Sequence, residues 1–361
     1  MEKEMQINPI TYLTWHWMKI NSDTISVNIN LTENKGTDVH IPEGVTVTNG
    51  KEIKTKLNEP VYSIGDETAN LIKENAKDGK IYTIKGTLKE PLVIRLESED
   101  GVNECTHQII HALEGSKGQV IIVSSSKDKT AGGMTALLTK VYLEDNSELQ
   151  VSKVQILGSN MNQIDETASV CGENAHMDFV QVELGGSHID TGFHSTLLGN
   201  LSKYTSHMGY LCRNEQYLDT NQTVVHKGKK TDCKMFTDGT IKDKSTKVYR
   251  GTIDMVRGCS GSTGNELENT LNLSPLALEK SAPIILCGED DISAEHGSTI
   301  GKLSNEILFY FNAHGINQTM AEELLSKAKI TSAAVKIPSQ EIQKEIGDYL
   351  NEIYGSDDTD E

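Results

Sequence analysis

From about Glu90 to Thr299, apolar and polar residues alternate in short runs such as PLVIRLES, QVIIVSSS, ALLTKVYLE, ELQVSKVQIL, MDFVQVELG and KVYRGTIDMV, punctuated by Gly, Asn, Asp and Ser. Period-two alternation turns one side of each run toward a core and predicts strands. The runs continue for about two hundred residues, more than one sandwich needs, and turn phrases of one kind recur between them: EDNSELQ, GENAHMD, TDGTIKDKSTKVYRG. A β-solenoid stacks each coil on the one before, so its turns repeat in register. The pattern predicts a mainly β chain with a solenoid core over residues 90–301, and the repeat is too loose to fix a period.

The flanks differ. Residues 1–89 predict an N-terminal α+β region: a Trp-rich opening, a hairpin-like stretch (TISVNINL, then VHIPEGVTVTNG) and a helix in DETANLIKENAKDG. There Ala69, Ile72 and Ala76 recur at helical spacing and Gly79 closes the segment. Residues 302–354 read as helices. Ser304 caps SNEILFYFNAHG, with Ile307, Leu308 and Phe311 as its apolar stripe and Gly315 as its stop. Thr319 and Glu322 form a capping box for the second helix, and Pro338 opens a third that runs to about Tyr354. Residues 355–361, GSDDTDE, form an acidic tail expected to be disordered. A solenoid end needs covering, so the helices are expected to cap it, to dock a partner, or both.

Composition narrows the function. Lys plus Arg number 34 against 52 Asp plus Glu, and a net charge of -18 repels polyanions, which argues against nucleic acid. No apolar run approaches the ~20 residues of a membrane span, and the opening lacks the pattern of a signal peptide, so no membrane association and a cytoplasmic location are expected. Six cysteines lie 21 to 66 residues apart without a CxxC, which excludes zinc-ribbon and ferredoxin spacings. Each thiol is then a small buried hydrophobe or a ligand assembled by the fold.

Enzyme signatures are missing: no GxSxG, HExxH, P-loop or GxGxxG after a strand. Asp290–Asp291 suits a turn better than a glycosidase pair, since adjacent strand residues diverge. For the same reason Glu295 and His296 point to opposite sides, one of them outward or into an interface. A partly solvated strand end explains such a pair without function. Their company argues for more: Cys287 lies nine residues before His296 and shares parity with Glu295, and Cys259 sits in RGCSGSTG. Carboxylate, imidazole and thiolate are all iron ligands. Among His176, His188, His194, His207 and His226, most are expected at surfaces or turns, and His226, ending QTVVHKG, is the secondary candidate.

HKGKKTDCKMFTDGTIKDKSTKVYRGTIDM, followed by NTLNLSPLALEKSAPIILCGEDDISAEHGSTIGKLSNEILFYFNAHGI, resembles the C-terminal half of the SufB/SufD family of the SUF iron-sulfur cluster assembly system. Asp290, Asp291, His296, Gly297, Leu308, Phe309, Tyr310 and Gly315–Ile316 carry the likeness over about residues 215–330, and the opening TWHWMKIN adds to it. The resemblance implies a right-handed parallel β-helix with a helical C-terminal domain. It also implies pairing through the β-helix end near His296, as a homodimer or a SufB/SufD-type heterodimer. A SufC-type ABC ATPase would dock on the helices, with Leu308, Phe309, Tyr310, Phe311, Gly315 and Ile316 as candidate contacts.

On that reading the chain is a scaffold component and not an enzyme. It binds no nucleotide, and it holds a transient iron-sulfur cluster whose sulfur comes from a donor such as a cysteine desulfurase. Glu295, His296 and Cys287 are the candidate metal ligands, with Cys259 a further cluster candidate. Glu295 before His296 is similar to the SufB type and Gly297 after it to the SufD type. Where the SufB type carries its scaffold cysteine, this chain has Ser274, leaving the thiolate role to Cys287 or Cys259. A minimal system with one homodimeric scaffold accommodates both features. The alternatives are a structural, SufD-like partner without a cluster, and a polysaccharide-active β-helix. The latter is disfavoured by 5% aromatics, the lack of a signal peptide pattern and the helical C-terminus.

Overall fold

The computed structural model describes residues 2–11, 16–34 and 37–357. The chain opens with an antiparallel pair, β1 (Glu2–Ile7) and β2 (Asp23–Asn28), followed by β3 (Thr32–Glu33), β4 (Thr37–His40), β5 (Val45–Asn49) and helix α1 (Asp66–Asn75). Strands then alternate between two sheets. One sheet holds β6 (Lys80–Ile84), β8 (Val102–Ala112), β10 (Gly132–Leu143), β12 (Asn160–Cys171), β14 (His188–Leu197), β16 (Tyr217–His226), β18 (Thr246–Met255) and β20 (Leu278–Cys287). The other holds β7 (Leu92–Ser98), β9 (Lys117–Ser126), β11 (Glu148–Ile156), β13 (His176–Glu183), β15 (Lys203–Cys212), β17 (Asp232–Ile241), β19 (Ser262–Asn272) and β21 (Ile292–Gly301). Each strand pairs in parallel with the strand two places on, so one strand from each sheet makes a coil and about eight coils make a parallel β-solenoid.

The turns supply the period that sequence comparison leaves open. Gly115, Asn146, Asn174, Leu201, Lys230 and Gly261 all adopt left-handed φ values from 51° to 76°. Each donates its backbone N–H to a carbonyl of the next coil at 2.7 to 3.0 Å. The steps along this column, from residue 115 to 146, 174, 201, 230 and 261, are 31, 28, 27, 29 and 31 residues. A spacing that wanders by four residues blurs any fixed period while the hydrogen-bond ladder stays in register.

Inward side chains such as Ile94, Ile122, Val151, Phe179, Phe193 and Ile253 form the core between the sheets. The outer face of the β6–β20 sheet is covered by the N-terminal region, where Ile7, Val27, Ile64 and Ile72 meet Cys105, Ala136 and Ile164. Ala69, Ile72 and Ala76 are all buried, as their spacing predicts, but the helix ends at Asn75 with Ala76 as its cap and not at Gly79. TISVNINL and VHIPEGVTVTNG do not pair with each other. β2 pairs with β1, while β4 and β5 lie antiparallel to β7 and β6, covering the otherwise open edges of the first coil.

The C-terminal helices are α2 (Asn305–Ala313), α3 (Gln318–Ala334) and α4 (Gln340–Asp357). α3 and α4 do not sit over the solenoid end. They lie along the outer face of the β7–β21 sheet, where Ile330, Ala333, Ile346 and Leu350 bury Val123, Val154, Val180 and Val182. That face is apolar, and burial there is what the helices gain. Gly209 makes the approach close: a Cβ built on it would stand 3.1 Å from both Ala333 Cβ and the Ile330 carbonyl.

Ser304 caps α2 as predicted, accepting from the Ile307 N–H, and Gly315 ends it at φ 78°. The cap of α3 is Asn317, not Thr319, because its side chain accepts from the Met320 N–H and α3 begins one residue later, leaving Thr319 inside the helix. α4 runs three residues past Tyr354, so the expected tail begins helical, and residues 358–361 lie outside those described.

Candidate functional site

β20 and β21 form the last coil, and among the described residues no further strand pairs on them. β21 is in parallel register with β19: Ala294 pairs with Gly264, His296 with Glu266 and Ser298 with Glu268. Since Glu266 and Glu268 point into the solenoid, His296 faces the inner side of the uncovered end and Glu295 the outer side. Both are exposed. Cys287, in register with the core residue Met255, also ends on the inner side and is the exposed one of six free thiols. The turn at residues 288–291 separates it from β21, so shared parity does not put it beside Glu295. From Ile292, across that turn, to His296 is about 13 Å of strand. One chain therefore displays Cys287, Glu295 and His296 across its end without gathering them into one ligand set.

The layer under this end is polar and buried. Lys247 is enclosed by Glu268 and by Glu279 at 3.2 Å, between the rings of Tyr210 and Tyr249 at 4.9 and 4.8 Å. Burial opposes its charge, yet the Tyr210, Glu268 and Glu279 groups hold its pKa above the ordinary lysine value. Glu268 also accepts from Ser281 and, at 2.7 Å, from Ser298 of the last coil. Glu266 lies beside Tyr249, and burial pushes its carboxyl up to about 8. Neither Glu266 oxygen has a well-aligned hydrogen bond among the described residues. A Cβ on Gly251 would stand 1.7 Å from Glu266 Oε1, so only glycine leaves room for the carboxyl. A protonatable carboxyl thus lies directly beneath His296.

The remaining candidates are spread out. Cys259 is fully buried, packed in the apolar core, and burial raises its thiol pKa, which opposes a thiolate role there. Ser274 is half-buried in the turn after β19, with its Oγ accepting from the Leu276 N–H. His226 is buried, hydrogen-bonded through Nδ1 to Thr231 Oγ1 at 2.6 Å, and lowered to about 4 by burial. The expectation of surface histidines fails for His194 and His226, because inward-facing or covered positions on solenoid strands are enclosed wherever they fall, while His176, His188 and His207 are half-buried. On α2, Phe309 is 74% and Tyr310 62% exposed, Leu308, Phe311 and Ile316 are half-buried, and Gly315 is exposed. The helix fully buries no residue: of the expected stripe Leu308 and Phe311 are half-buried and Ile307 is exposed. A cavity of about 780 Å³ between α4 and the turns after β11, β13 and β15 is lined by Arg213, Tyr349 and Glu352 and holds none of these candidates.

Comparison with known proteins decides the family. Residues 94–329, more than half of the chain, match the family model described as "SUF system FeS cluster assembly, SufBD core domain". The chain belongs to the SufBD family. Iron-sulfur cluster assembly SufBD family proteins of Staphylococcus saprophyticus and Staphylococcus haemolyticus are each 22% identical to it, over 246 and 263 residues. These matches cover 68% and 72% of this chain but 53% and 56% of the relatives. The chain spans about half the length of the curated relatives it matches. The SufBD match includes the polar layer and the whole of β20, β21 and α2. Among the described residues no helix is long and apolar enough to cross a membrane.

Lys247, Glu266, Glu268 and Glu279 are the residues that the sequence reading missed. Their signal was present in KVYRGTIDM and GNELENTLN: Lys247 is in phase with the core residues Ile253 and Met255, and Glu266 with Gly264. A charged residue at an inward parity marks a deliberate buried polar site.

Proposed function

We propose that this chain is a component of SUF iron-sulfur cluster assembly whose solenoid end pairs with a second such end, and that cargo iron and sulfide are assembled between them. The observation that carries this reading is the last coil itself. It leaves Leu276, Leu278 and Ile300 exposed beside an inward-facing His296 and Cys287, over a buried polar layer. Exposed apolar residues at a solenoid end favour an interface. A second end would bring a second set of thiolate, imidazole and carboxylate donors into reach, which one chain lacks. Cys287 and His296 are the donors of this proposal, with Glu295 at its rim. Cys259 and His226 are left out because they are enclosed.

A SufC-type ATPase would dock on α2 through Phe309 and Tyr310, whose exposure suits a partner. Only residues 302–304 separate β21 from α2. A short, stiff connection carries a helix displacement to the end strand. The homodimeric and heterodimeric forms are both compatible with this, as is location in the cytoplasm.

The pairing is tested by sedimentation of the full chain, alone and with a SufB-type partner. Leu278→Asp and Ile300→Asp are expected to convert a dimer to monomers by placing unpaired charges in the interface. A wild-type chain that stays monomeric in both settings contradicts the proposal.

A further inference from the structure

The outer face of the β6–β20 sheet carries a second cluster of ligand-type side chains, three strands of that sheet away from the end coil. His188 on β14 places Nε2 at 3.0 Å from Asp23 Oδ2 and 3.2 Å from Asp190 Oδ2. The three donor atoms lie within 4.8 Å of one another. Tyr217 lies against the imidazole, with ring centroids 4.5 Å apart, and restrains its plane. Asp190 is fully buried, and among the described residues neither of its carboxylate oxygens has a well-aligned hydrogen bond. Its neighbour in register, Asp219, is by contrast engaged by Arg250 and by Asn8 at 2.7 Å. An enclosed carboxylate without such partners, aimed at an imidazole and a second carboxylate, calls for a cation there, either the protonated His188 or a metal ion taking its proton's place.

We propose that Asp23, His188 and Asp190 bind a divalent first-row metal ion that fastens β2 to the solenoid. The separations of 3.0 and 3.2 Å are close to the edge of a tetrahedron with bonds of about 2.0 Å. One imidazole with two carboxylates suits zinc or ferrous iron; it lacks the thiolates that copper(I) prefers and the all-oxygen shell of calcium or magnesium. Charge agrees. Without metal, and against the effect of burial, the two carboxylates hold the His188 imidazole protonated; a divalent cation would displace that proton, and against the −2 left by Asp23, Asp190, Asp219 and Arg250 it brings the charge to zero. Entry is open as well, since Asp23 and His188 remain 18% and 29% exposed at their side chains. The site joins β2 of the N-terminal region to β14 of the solenoid and does not depend on the assembly reading above.

The test is zinc(II) titration of the full-length chain, stripped with chelator, in a Cys287→Ser, His296→Ala background that silences the end coil. Bound metal is counted after dialysis and Tm is followed against free zinc. The parent is expected to bind one zinc more than His188→Gln or Asp190→Asn, with a zinc-dependent rise in Tm that these variants lack. Asp23→Asn leaves the buried pair in place and serves if either of them fails to fold; it is expected to weaken zinc binding at least tenfold. Equal zinc stoichiometry and equal zinc-dependent Tm shifts in parent and variants would make the trio an ion-pair staple and overturn the proposal.

Discussion

Glu266 reaches the solenoid axis because Gly251 opposite it has no side chain. It faces Tyr249, Glu268 and Lys247, with His296 one coil further on. Burial raises Glu266, Glu166 and Glu183 to about 8 each, from an ordinary 4.5. Between those values the folded chain keeps protons that the unfolded chain has released, so stability falls as pH rises toward 8. His107, His194, His207 and His226 act in the other direction. Burial lowers them to about 3 for His107 and about 4 for the rest, from 6.5, so stability is lost as pH falls below 6.5. Between about pH 4.5 and 6.5 the two sets oppose each other, and above 6.5 the carboxyl set alone of the two remains, so its contribution falls from there toward pH 8. Glu266→Gln fixes the neutral form, and its Tm should fall less between pH 6.5 and 8.5 than that of the wild type. An equal fall in both would contradict the assignment of a raised pKa to this group.

Turns and strands show what sequence alone carries at the scale of elements. Alternating runs such as ELQVSKVQIL and KVYRGTIDM became strands because one face had to be buried whatever the period. The N-terminal pairing was not legible, because β4 and β5 find their partners only once the first coil exposes two edges. Nor was the fate of α2. Its Ser304 cap and Gly315 stop are local and were readable, while burial of its stripe depends on a surface that this chain leaves open. The turn column invites a direct test. Leu201 holds a left-handed φ of 62° at a position filled by Asn in the two preceding coils, at Asn146 and Asn174. A left-handed residue with a branched, apolar side chain costs about 1 kcal/mol or more, so Leu201→Asn is expected to raise stability by up to about 1 kcal/mol in denaturant titration. A loss of stability would mean that Leu201 contributes packing that outweighs its backbone strain.

As a whole molecule, the chain is a parallel solenoid with each sheet's outer face covered by its own terminal region and one end left open. The order of DD, HG and LFY motifs was enough to indicate the SufBD family, because they fall in sequence order on consecutive elements of that end. The candidate site was half legible. Cys287, Glu295 and His296 were found as chemistry-bearing types, but their separation across the end coil and the buried layer of Lys247, Glu266, Glu268 and Glu279 depend on which coil stacks on which. The distribution of donors over the end carries the central claim, the proposal that a second end completes the site. The direct measurement is anaerobic reconstitution of the purified chain, with and without a SufC-type ATPase, quantifying iron and sulfide per protein alongside the visible spectrum. The account predicts stoichiometric iron with a charge-transfer band on a dimeric species, lost in Cys287→Ala and His296→Ala while ATPase binding persists. A wild-type complex that binds the ATPase yet takes up no cluster, or variants that take it up as well as the wild type does, would contradict it.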